Sequence, residues 1–112
     1  MADMKDNNLK TENIHLVGFK LGATELASVG KIVQHHFQKL SQKAECRELK
    51  LQLRQHQHAK AFLHEISAEA SLARKGKTAV LASKATNYNL FAAVAEALGK
   101  LVIEAEHKFR KN

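Results

Sequence analysis

A chain of 112 residues is long enough for one domain and too short for two. Apolar residues make up 45% of it, so a real core can form. Lys and Arg number 18 against 11 Asp and Glu, a formal charge of +7, and a basic balance at this size favours a polyanionic partner, usually RNA or DNA.

The charge is not concentrated in any one segment, so a basic patch must be made by folding rather than by a tail. The single cysteine, Cys46, cannot form a disulfide within the chain and argues against a cysteine-based metal site. Nothing resembles a signal peptide, and no apolar run approaches the ~18 residues of a membrane span. A reducing cytoplasm is the expected compartment.

Residues 1–12 lack periodicity and are expected to be a disordered tail, leaving residues 13–112 as a single domain. Ile14, Leu16 and Val17-Gly18 read as a short strand, followed by a loop between Gly18 and Gly22. Thr24 suits a helix N-cap, with Glu25 in the first turn. Leu26, Val29, Val33, Phe37 and Leu40 then recur at spacings of three and four, which predicts a helix from 24 to about 43. Its opposite side carries Ser28, Lys31, His35, Gln38, Lys39, Gln42 and Lys43.

Leu49, Leu51 and Leu53 alternate with charged and polar residues, a strand with one buried and one wet face. His56-Gln57-His58 reads as a turn. Ile66, Ala68, Ala70 and Leu72 alternate in the same way, Arg74-Lys75-Gly76-Lys77 reads as a tight hairpin, and Thr78 to Ser83 as a further strand. The meander is expected at 46–55, 61–73 and 78–84, with Lys84 to Tyr88 as a linker. Asn89 can cap a last helix whose stripe is Leu90, Val94, Ala97, Leu98, Leu101, Ala105 and Phe109, running to about 110 and fraying at Lys111-Asn112. The resulting order, β-α-β-β-β-α, predicts an α+β two-layer sandwich: a four-stranded sheet with two helices on one face.

Catalytic and metal motifs find little support. His35-His36 point roughly 100° apart on a helix and rarely share a metal. His56 and His58 have no Asp, Glu or Cys at ligand spacing. Ser67, Ser71 and Ser83 lack a nucleophile elbow, Cys46 lacks an activating partner, and no phosphate-binding glycine loop occurs. Glu65 and Glu69 read as a solvated face rather than an acid/base pair. No enzyme, cofactor, metal or small-molecule substrate is expected. The outward strand residues Lys50, Gln52, Arg54, Glu65, Ser67 and Glu69 include no aromatic, so that face is a poor base-stacking platform.

What remains is a helix-borne basic surface. Lys31, His35, Lys39 and Lys43 recur on the first helix; Lys100, His107, Lys108, Arg110 and Lys111 populate the last. Side by side, the helices would merge these into one face that binds phosphate by shape and charge.

The segment Leu81-Ala82-Ser83-Lys84-Ala85-Thr86-Asn87-Tyr88-Asn89-Leu90-Phe91-Ala92-Ala93-Val94, with Leu98 and Lys100-Leu101, resembles the ribosome hibernation-promoting factor family, also called ribosome-associated inhibitor A or ribosomal subunit interface protein. Thr24-Glu25 and Phe37-Gln38-Lys39-Leu40 in the first helix are similar too, and element order matches over about residues 13–111. The resemblance implies a non-enzymatic protein that occupies the mRNA and tRNA channel of the small ribosomal subunit and blocks translation under stress. It implies the short form, without an added C-terminal dimerisation domain. The residues expected to contact rRNA phosphates are Lys31, His35, Lys39, Lys43, Lys84, Lys100, Lys108, Arg110 and Lys111. The family is strongly basic after the Lys-Leu pair, whereas this chain reads Val102-Ile103-Glu104-Ala105-Glu106. Val102 and Ile103 therefore support an alternative: an oligomerising or partner-binding domain of the same fold, with a homodimer as one form.

Overall fold

A computed structural model describes residues 13–110. The expected tail at 1–12, and Lys111-Asn112, lie outside the described residues. The elements follow in the order β1 (Ile14–Val17), α1 (Ala23–Lys43), β2 (Glu45–His58), β3 (Ala61–Arg74), β4 (Lys77–Asn87) and α2 (Leu90–Lys108).

The four strands form one sheet in the order β1-β2-β3-β4. The first pair is parallel, with Ile14 beside Leu49 and Leu16 beside Leu51, and the rest is an antiparallel meander. Alternation places Leu49, Leu51, Leu53, Ile66, Ala68, Ala70 and Leu72 on one face, and all seven are buried. On that face α1 covers β2, α2 covers β3 and β4, and the two helices touch. The fold is thus the expected α+β sandwich. Both helical stripes supply the second layer: Val29, Val33 and Leu40 from α1, and Leu90, Val94, Ala97, Leu98, Leu101 and Ala105 from α2. Each leucine-sized side chain so buried stabilises the fold by about 1.5–3 kcal/mol. Small residues at 68, 70, 93 and 97 let α2 sit close to the strands beneath it.

Several local features differ from the expectations. Gly22, not Thr24, is the N-cap of α1. Asn89 does cap α2, its Oδ1 accepting from the Ala92 amide at 2.9 Å. Phe19, between two glycines, is among the largest fully buried side chains. The chain can turn that ring inward because Gly18 has φ +81°, and a Cβ there would stand 2.7 Å from the Leu53 carbonyl oxygen.

The strands also outrun their predicted ends. His56-Gln57-His58 continue β2, paired with Leu63, Phe62 and Ala61, and the turn is Ala59-Lys60. Since β1 pairs only as far as Gln52 and β4 only from His64, residues 56–63 project as a ribbon with no strand on either side. At the opposite end Lys75 and Gly76, both with positive φ, close the β3–β4 hairpin in the manner of a type I′ turn. The supposed linker from Lys84 is strand through Asn87.

Candidate nucleic-acid interface

Lys31, His35 and Lys39 recur every four residues on α1 and all are exposed. Four residues overshoot a 3.6-residue turn, so each step rotates the series by about 40°. By Lys43 it has turned toward α2, where the ammonium lies 3.4 Å from the Glu106 carboxylate. Lys31 and Lys39 form no ion pair among the described residues.

His35 meets His36 edge to face, with ring centroids 5.2 Å apart. His36 lies two turns before Lys43, on the flank toward α2, with Nδ1 2.8 Å from the Ile32 carbonyl oxygen. A carbonyl only accepts, so Nδ1 carries the proton. Burial holds the His36 pKa below the ordinary imidazole value, outweighing the Ile32 carbonyl; the neighbouring His35 and Lys39 push in the same direction as burial.

The last helix does not extend this face. Lys100 sits on the far flank, its Nζ donating to the Lys84 carbonyl on β4 at 2.8 Å. Glu104 lies with Lys100 on the β4 flank, whereas the exposed Glu96, Ile103 and Glu106 lie between Lys100 and α1, so acidic and apolar groups separate the two. The single merged face expected from the sequence is split. Ile103 is 54% exposed, whereas Val102 packs partly buried against the core.

Lys84 requires the clearest correction. Ser83 Oγ donates to the Ala97 carbonyl at 2.6 Å, so Ser83 faces α2. Strand alternation then turns Lys84 to the opposite, open face of the sheet. There its ammonium lies 3.1 Å from Glu65, whose other carboxylate oxygen is 2.8 Å from His56 Nε2. The hydrogen bond from His56, then that from Lys84, holds the Glu65 pKa below the usual carboxylate value. A linker residue has no fixed face; the extension of β4 to Asn87 gives Lys84 one.

Cations gather instead where both helices end. Arg74 Nη1 donates to the carbonyls of Lys43 at 3.3 Å and Phe109 at 3.0 Å. Lys77 Nζ donates to the Lys108 carbonyl at 3.4 Å and lies 5.9 Å from the centroid of the Phe109 ring. The cause is general: a helix C-terminus leaves carbonyls unpaired and partial negative charge unbalanced, and cations answer both. Lys75, Lys108 and Arg110 stand exposed around this contact. Arg74, Lys75, Lys77, Lys108 and Arg110 line one groove of ≈ 250 Å³ with Phe109. A second, of ≈ 430 Å³, joins Gln42 and Lys43 to Arg74 and Arg110, with Glu106 as its carboxylate. A basic stripe thus runs along α1 from Lys31 through His35, Lys39 and Lys43 to Arg110, Lys108 and Lys75. Lys84 and Lys100 lie off it, and Lys111 lies outside the described residues. From the sequence, Arg74-Lys75-Gly76-Lys77 reads only as a turn; three cations in four residues are the signal of a second role.

Burial pushes the Cys46 thiol up to about 11, against the weaker opposing effect of a backbone hydrogen bond with Glu48, so it is no ready nucleophile. Among the described residues no group of three or more His, Cys, Asp or Glu could hold a metal ion. No helix among them is long and apolar enough to cross a membrane.

No protein-family model matches the sequence, and no curated protein matches it significantly. In structure the chain is similar to the N-terminal domain of Protein Y from Thermus thermophilus, at 14% identity and a TM-score of 0.46, over 85% of this chain and 93% of that one. It is also similar to a ribosomal subunit interface protein from Coxiella burnetii, at 14% identity and a TM-score of 0.50, over 88% of this chain and 97% of that one. At this identity the likeness is one of fold. The resemblance expected from residues 81–101 is therefore met at the level of architecture: the chain shares its fold with a ribosomal subunit interface protein.

Proposed function

We propose that the protein binds the small ribosomal subunit through rRNA phosphates, without catalysing a reaction, and blocks translation in the cytoplasm under stress. The observation that carries this reading is the basic stripe along α1, continued by the cationic end where the β3–β4 turn meets both helix C-termini. Lys31, His35, Lys39, Lys75, Lys108 and Arg110 are its exposed groups. Lys43 contributes less, being offset by Glu106. The shared fold and the resemblance at residues 81–101 support the ribosome as the polyanion.

Sedimentation with purified small subunits over a range of salt tests it. Binding should weaken linearly in log affinity against log salt, with a slope set by the phosphates neutralised. Changing Lys31, Lys39 and Arg110 together to Glu should abolish co-sedimentation. Unchanged binding of that variant would refute the reading.

The exposure of Ile103 beside Ala82 and Ser83 along β4 favours a second reading, in which this flank docks a protein partner or a second copy. A dimer in light scattering that Ile103→Lys dissociates, together with no affinity for subunits, would favour it over the first.

A further inference from the structure

The projecting end of the β2–β3 hairpin carries chemistry that the basic stripe does not use. Six aromatic residues occur in the chain, five Phe and one Tyr. The two most exposed, Phe62 at 52% and Tyr88 at 54%, both lie at this end. The Tyr88 hydroxyl is 3.1 Å from His58 Nδ1, and the two rings meet edge to face at 6.3 Å. Across the ribbon Gln55 Nε2 lies 3.3 Å from His64 Nδ1. Gln55, His64, Tyr88 and Lys20 line a cleft of ≈ 460 Å³, with Phe91 and Glu25 on its helix side. Phe62 is two residues before His64 on the same strand face, so its ring stands about 7 Å farther along the ribbon.

This combination is not that of a resting surface. A large aromatic ring half exposed at a strand end has lost part of its burial energy, and this ribbon carries two: Phe62 on the face of Gln55 and His64, and Tyr88 against His58 of the other face. The flanking charges are Lys20, Arg54 and Lys60, all exposed. Of the nearby carboxylates among the described residues, Glu65 is already committed to His56 and Lys84, leaving Glu25 in the cleft. Rings that stack, amide and imidazole groups that hydrogen-bond, and a positive surround form the pattern that holds unpaired nucleotides. The cleft volume falls in the range of small-ligand sites, which begins near 300 Å³.

We propose that this end grips a single-stranded stretch of polynucleotide that wraps the ribbon, one base stacked on Tyr88 and another on Phe62 of the opposite face, with phosphates met by Lys20 and Lys60. The inference extends the ribosome-binding reading: the stripe holds duplex phosphate by charge, and the hairpin end selects for unpaired bases.

Tyr88 is the only tyrosine and the chain has no tryptophan, so its fluorescence reports this site alone. A short oligouridylate added to the whole protein should quench it, and a duplex of equal length should not. Phe62→Ser and Tyr88→Ser alter exposed side chains. Each should weaken oligouridylate binding, followed by anisotropy, about five- to a hundredfold. Equal binding of single strand and duplex without quenching, or wild-type affinity in the Phe62→Ser, Tyr88→Ser double variant, would overturn the proposal. So would quenching by ribosomal proteins stripped of RNA and not by the oligonucleotide. The two readings fail separately. Lys31→Glu, Lys39→Glu protein that loses subunits but keeps the quench supports the hairpin site; subunit binding with no quench removes it and leaves the stripe.

Discussion

Arg74 donates to the Phe109 carbonyl at 3.0 Å, and the same nitrogen reaches the Lys43 carbonyl at 3.3 Å. One guanidinium thereby closes the ends of both helices from the end of β3. The planar, multidentate donor suits two diverging carbonyls; a lysine ammonium at that position has a different reach and geometry. Arg74→Ala should lower stability by about 1.5–3 kcal/mol, the range for hydrogen bonds involving a charged group. Arg74→Lys should recover only part of that. Thermal unfolding of the three proteins checks the order, and a lysine variant as stable as wild type would refute the double-cap role.

Two left-handed residues make opposite demands. Gly18 has φ +81° and no space for a Cβ against the Leu53 carbonyl, so Gly18→Ala adds both strain and a backbone clash. It should destabilise by at least about 2 kcal/mol and loosen Phe19. Ala59, in the hairpin turn, has φ 60° and already carries the strained side chain. Ala59→Gly should relieve the left-handed cost of about 1–2 kcal/mol, less the ~0.5–1 kcal/mol of extra entropy that glycine loses. A net gain of about half to one kcal/mol in denaturant unfolding is the expected result.

The same contrast explains what the sequence discloses. The stripe of α2 is legible residue by residue, because Leu90, Val94, Ala97, Leu98, Leu101, Ala105 and Phe109 all face one core and all are buried. Alternation reveals β2 and β3 as long as one strand face is apolar. It fails at His56-Gln57-His58 because a two-stranded ribbon wet on both faces has no apolar face to display. Phe19 is lost for a related reason: two apolar residues, Phe19 and Leu21, in a short segment between glycines are too few to display a period. The basic stripe is half legible. Its α1 part follows from spacing, but Arg74, Lys75 and Lys77 join it only through the antiparallel return of β3, a contact across more than thirty residues of chain. Lys84 misleads because its face depends on where β4 ends.

His36 makes stability depend on pH near neutrality. Its folded-state pKa is lowered, chiefly by burial, so the unfolded chain binds a proton more readily. Stability from this group is therefore present above the unfolded value of about 6.5 and declines as pH falls below it. His36→Gln keeps a donor for the Ile32 carbonyl but does not titrate. The difference in unfolding free energy between variant and wild type should change between pH 7.5 and pH 5.5, in favour of the variant at the lower pH. A constant difference would show that His36 is as easily charged folded as unfolded.

Lys39 and Lys84 carry the same charge on opposite faces of the molecule, which makes them a matched pair. Lys39 is exposed on the α1 stripe with no ion pair among the described residues. Lys84 faces Glu65 on the neighbouring β3, and its loss leaves that carboxylate with His56 alone. Lys39→Gln should weaken subunit binding and reduce the magnitude of the salt slope by about one phosphate contact, with unfolding nearly unchanged. Lys84→Gln should do the reverse: near wild-type subunit binding, with a small loss of stability. The Glu65 pKa is lowered by both partners, so the Lys84 contribution is present above the ordinary carboxylate value and fades as pH falls through the folded one. At acid pH the Lys84→Gln variant should match wild type in stability, while the binding deficit of Lys39→Gln persists wherever the lysine is charged. Equal loss of binding in both variants would mean that the open sheet face also meets the ribosome, and that the stripe along α1 is not the whole of the interface.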